Sequence, residues 1–68
     1  MIKLVYYVDE EAHDREIDWL RAQSIFAASH NSGNGTRKVI IGVIVTPESA
    51  LAIKLRHQIA HQSEYTQG

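Results

Sequence analysis

The run Lys38-Val39-Ile40-Ile41-Gly42-Val43-Ile44-Val45-Thr46, leading into Pro47, constrains the fold more than any other stretch of the chain. It is the most β-branched segment present, and β-branched side chains suit the pleated surface of a strand. Alternation puts Val39, Ile41, Val43 and Val45 on one face and Ile40 and Ile44 on the other, with Gly42 between them. A strand that is apolar on both faces belongs in a sheet covered on both sides. Its end is also marked. Thr46 can cap a helix, and Pro47 at the first helical position gives up no hydrogen bond that the helix needs.

Length sharpens the problem that this strand poses. A chain of 68 residues has one small core, and burial on that scale barely exceeds the entropy lost on ordering. With no cysteine in the sequence, disulfides and thiolate zinc sites are both excluded. A partner subunit is the remaining common means of enlarging the core. The longest apolar run falls well short of the ~20 residues that cross a bilayer. Met1-Ile2-Lys3-Leu4 has no basic segment, apolar segment or cleavage site of a secretory leader. The expectation is a cytoplasmic protein with no membrane partner.

Charge is modest but uneven. The formal net charge is −1. Six acids (Asp9, Glu10, Glu11, Asp14, Glu16, Asp18) face three cations in residues 1–22, whereas residues 23–68 are slightly basic. A nucleic-acid binder usually carries a much stronger basic excess.

Along the chain, Ile2 to Val8 reads as a strand, with Ile2, Leu4, Tyr6 and Val8 on one face and Lys3, Val5 and Tyr7 on the other. Asp9 offers an N-cap, and Glu10 and Glu11 suit the positive end of a helix dipole. A helix from about Glu10 to Ala22 or Gln23 aligns His13, Ile17, Leu20 and Ser24, with Trp19 off that stripe. Ser24 to His30 is ambiguous. As helix it would ring the first helix with apolar side chains, which a short domain cannot bury, so a short strand is expected. Asn31 to Thr36 is a turn, and Asn34-Gly35 is a strong hairpin signal. A second helix is expected from Pro47 to about His61 or Ser63, packing Leu51, Leu55 and Ile59 on the sheet.

These elements predict an α/β (α+β) two-layer sandwich, a small sheet of two or three strands with two helices in the order β-α-β-β-α. If the middle segment is helix, the order is β-α-β-α. Residues 1–62 form the single domain, and 63–68 form a frayed tail.

Few residues carry recognisable chemistry. The loop Ser32 to Lys38 has the small residues, hydroxyls and cations that can contact phosphate, but it precedes a strand and lacks the P-loop spacing. Its candidate binding residues are Asn34, Gly35, Arg37 and Lys38. Lys54 and Arg56 add a basic side to the last helix. His57 and His61, four apart on the second helix, have the spacing at which two imidazoles share a metal, but no H-E-x-x-H motif accompanies them and two ligands do not complete a site. No metal, cofactor or catalytic residue is assigned. No nucleophile elbow surrounds any serine, and so few residues can hardly enclose a pocket alone.

The expected function is that of a small non-enzymatic interaction or regulatory module acting as a homodimer, with a protein partner also possible. The alternative is a nucleic-acid-associated protein that uses the basic hairpin tip and the basic side of the last helix. The dimer follows from covering power: two helices can shield one face of the sheet, and the other would expose a contiguous apolar patch.

Overall fold

A computed structural model describes residues 1–31, 33 and 37–66. Candidate residues Asn34 and Gly35 lie outside the described residues. The elements are β1 (Ile2–Asp9), a 3-10 turn (Glu10–Ala12), α1 (His13–Ala22), β2 (Ala27–Asn31), β3 (Lys38–Val45), α2 (Pro47–Arg56) and β4 (Ile59–Glu64). All strand pairings are antiparallel, in the spatial order β2-β3-β1-β4. Each strand-helix-strand unit therefore straddles a strand of the other. This is the split β-α-β, or ferredoxin-like, arrangement.

The sheet thus has four strands, not two or three, and the expected orders β-α-β-β-α and β-α-β-α both lack the last one. Residues 59–64 lie in β4 and not in a helix ending at His61 or Ser63, and Ser63 and Glu64 are strand residues instead of a frayed tail. Without β4, the edge of β1 that faces away from β3 would be a row of unpaired backbone groups. Pairing there satisfies them from Ile2↔Glu64 to Tyr6↔Ile59, with one irregularity between Val5 and Tyr6.

The core lies on a single face. Leu4, Tyr6 and Val8 of β1 meet Val39, Ile41, Val43 and Val45 of β3, beneath Leu20 of α1 and Ala50 and Ile53 of α2. α2 turns a different side to the sheet from the one its leucines suggest. Leu51 is 60% exposed and Leu55 81% exposed, whereas Ile53 is fully buried. The packed positions are Ala50, Ile53 and His57, at i, i+3 and i+7. The helix ends one residue before His57, whose backbone is already extended.

Local chemistry places the helix ends. Thr46 accepts a hydrogen bond from the Ser49 N–H at 3.3 Å, capping α2 with Pro47 just inside. Asp9 does not cap α1. It stays extended ahead of the 3-10 turn, and its carboxylate takes the Lys38 ammonium at 2.6 Å. α1 ends in a Schellman motif. Ser24 stands at φ +59°, its N–H reaches the Arg21 carbonyl, and the Ile25 N–H reaches the Leu20 carbonyl at 2.9 Å. That reversal buries Ile25 beside Leu20 and sends the chain into β2. Ile25 is buried, but the next residue, Phe26, is 94% exposed.

Candidate interaction surface

The face of the sheet opposite the helices has no cover among the described residues. Register fixes what it presents. Tyr7 lies beside Ile40, Val5 beside Gly42, and Lys3 beside Ile44. On the flanking strands, Ala28 adjoins Gly42 and His30 adjoins Ile40, while His61 adjoins Val5 and Ser63 adjoins Lys3. Tyr7 is 48% exposed and Ile44 39% exposed, although both sit on central strands. Phe26, immediately before β2, has the same parity as Ala28 and extends this apolar surface towards Ile44. The Asp9–Lys38 ion pair marks one end and Lys3 the other. An apolar centre with a charged margin is the usual anatomy of a protein interface.

Gly42 is the informative residue here. Its φ is not in the left-handed region, and a Cβ built on it meets nothing within 4 Å. Neither backbone geometry nor packing within the chain requires glycine there, although glycine weakens a strand interior. The absent side chain leaves open space above position 42, between its strand neighbours Val5 and Ala28.

A second constellation lies beneath the helices. Glu16 of α1 is only 3% exposed. Its carboxylate accepts the Tyr6 hydroxyl at 2.6 Å, the Arg56 guanidinium at 2.9 Å and the His57 Nε2–H at 2.8 Å. The His57 ring stacks on Tyr6 with centroids 4.8 Å apart, and the Arg56 guanidinium lies 4.0 Å over the Trp19 ring. Burial drives the Glu16 carboxyl upward. The hydrogen bonds from Tyr6, Arg56 and His57 outweigh that and hold it below its ordinary value of 4.5. Burial, followed by the bond to Glu16 and its charge, pushes the Tyr6 phenol well above its usual range, so it remains a donor. Chemically the network is a clasp: one carboxylate joins β1, α1 and the end of α2.

A pH dependence follows. A carboxyl with a lowered folded-state pKa adds stability that is present above its unfolded value and lost as pH falls through the folded one. Urea midpoints should therefore fall as the pH is taken from 4.5 downward, and Glu16→Gln should flatten that slope. An unchanged slope in Glu16→Gln would remove Glu16 as its source.

The candidate cations are dispersed by this arrangement. Arg37 lies just before β3, and its carbonyl accepts the Glu10 N–H at 2.8 Å. Lys38 engages Asp9, Arg56 engages Glu16, and Lys54 is exposed on α2. His57 and His61 do not share a helix. His57 belongs to the Glu16 clasp on the covered side, whereas His61 stands on β4 beside Val5 on the open side. The sheet separates the two, so they cannot share a metal. Among the described residues, no three metal-ligating side chains come together, and no helix is long and apolar enough to cross a membrane.

Sequence reasoning missed Glu16, since an acid on a short helix reads as solvated. The available signal was its place one turn before Leu20, the most deeply buried residue of α1. Comparison with protein-family models, curated proteins and solved structures finds no match to this chain.

Proposed function

We propose that this protein is a small non-enzymatic interaction module that acts as a homodimer through the helix-free face of its sheet. The observation that carries this reading is the uncovered apolar surface of Val5, Tyr7, Ile40 and Ile44 around the open space at Gly42. Those apolar side chains do nothing for the chain's own core, and water is a poor neighbour for a contiguous patch of them. A second copy would supply the missing cover and enlarge the core of a very short chain. The nucleic-acid reading has less support, because Lys38 and Arg56 already hold carboxylates.

Solution scattering tests the proposal. The single chain has a Cα radius of gyration of 11.7 Å, and a compact dimer should reach about 14 Å. Ile44→Lys should return the protein to the monomer value and leave its far-UV spectrum unchanged, since Ile44 lies outside the core. A wild-type protein that stays at the monomer radius up to millimolar concentration would refute the reading. Capture of a labelled single-stranded oligonucleotide by that monomer, lost steeply with added salt, would favour the alternative instead.

A further inference from the structure

Resting on the homodimer reading, we infer that the open face is self-complementary about one particular axis. A second copy docks with its two-fold axis parallel to the strands, midway between β1 and β3, so that Val5 of each copy fills the space above the partner's Gly42.

The register carries this. An axis in that position lays β1 of one copy over β3 of the other, and β4 over β2. The central row of the face runs Ala28, Gly42, Val5, His61. Its two small residues lie on one side of the midline and its two larger ones on the other. Rotation about the axis therefore sets large against small throughout the row: Val5 on the partner's Gly42, and His61 on the partner's Ala28. In the next row the exposed ring of Phe26 lands on the partner's Ser63, again large on small. Ile44 lands on the aliphatic stem of the partner's Lys3, whose ammonium remains at the margin.

The other in-plane axis, at right angles to the strands, does worse. Centred on the same row, it places Gly42 over the partner's Gly42 and leaves two facing depressions. Voids of that kind forfeit contacts on both walls, whereas interiors pack to crystal-like density. Shape at the central row thus selects the first axis, which in the row on the other side sets Tyr7 against the partner's Ile40.

The margin also suits self-docking, since the Asp9–Lys38 pair is already neutral and, among the described residues, the strands present no other carboxylate on this face.

The experiment is a size swap read by sedimentation equilibrium. Gly42→Val puts two valines in each shared space and should weaken the dimer about 100-fold, roughly tenfold at each of two overpacked sites. Its fold should persist, because valine suits a strand and the space above position 42 is open. The double variant Val5→Gly with Gly42→Val reverses the roles and should restore the dissociation constant to within about tenfold of wild type. A second readout does not depend on how well the double variant folds. The chain has no cysteine, so Phe26→Cys and Ser63→Cys chains can be mixed with a short bismaleimide. Face-to-face sheets lie about 10 Å apart, so the mixture should crosslink into a heterodimer and Phe26→Cys alone should not. A Gly42→Val dimer as tight as wild type, or crosslinking of Phe26→Cys to itself, overturns this arrangement while leaving the dimer standing. A wild-type chain that is monomeric throughout overturns the dimer itself, and the arrangement with it.

Discussion

Glu16→Ala should leave the protein largely unfolded at room temperature, with the helical far-UV signal lost before any denaturant is added. The reason is what remains behind. Tyr6, Arg56 and His57 all donate to that carboxylate, so truncation strands a buried phenol and takes the counter-charge from a guanidinium at the end of α2. Leaving the buried Tyr6 hydroxyl unsatisfied costs about 1–3 kcal/mol, and the bonds from the partly exposed Arg56 and His57 are lost with it. Domains have about 0.05–0.15 kcal/mol of stability per residue, which for a chain this short is a total of the same order. Glu16→Gln keeps the shape and part of the hydrogen bonding, so it should fold with reduced stability. Circular dichroism with urea titration orders the three proteins. A stable, cooperatively folded Glu16→Ala would show that the clasp adds little.

A comparison along α2 should give the second large effect. Ile53→Ala is expected to lose about 2–5 kcal/mol, the cost of an emptied core site with its transfer and cavity parts. Leu55→Ala, two residues on, should change stability by less than about 0.5 kcal/mol, as surface substitutions do. The contrast is sharp because the residues are similar in size and share one helix, yet one is fully buried and the other 81% exposed. Equal losses at both sites would mean that the helix presents a different side to the sheet.

The same helix shows where sequence patterning stops being informative. Leu51, Leu55 and Ile59 keep helical spacing across the whole segment, so periodicity alone continues the helix through His61. What ends it is tertiary. His57 is drawn onto Tyr6 and Glu16, and Glu16 lies 41 residues earlier in the chain. The strand that follows, Ile59–Glu64, is an edge strand with one large apolar residue, so neither β-branching nor clean alternation announces it. Its stability comes from backbone pairing with β1, which composition does not encode. By contrast, β3 is readable residue by residue, because a central strand writes its burial into its side chains. The two-sided apolar character of β3 also marks the open face in advance. Which residue shapes that face does not stand out, since a strand glycine usually signals only a weak point. Gly42 becomes informative once the space above it is seen to be empty.

The interleaving of the two strand-helix-strand units has a consequence for how the chain folds. Residues 2–31 form two strands with a gap one strand wide between them, and β3 fills that gap. The unit from β3 to β4 has the matching gap, which β1 fills. Neither half can complete a hydrogen-bonded sheet alone, so residues 2–31 and residues 38–64 must order together. Folding is then expected to be cooperative and paced by closing contacts distant in sequence, not by the two short helices. Chains separated by proteolysis near residue 33 would be unstructured apart and would regain a sheet only when mixed.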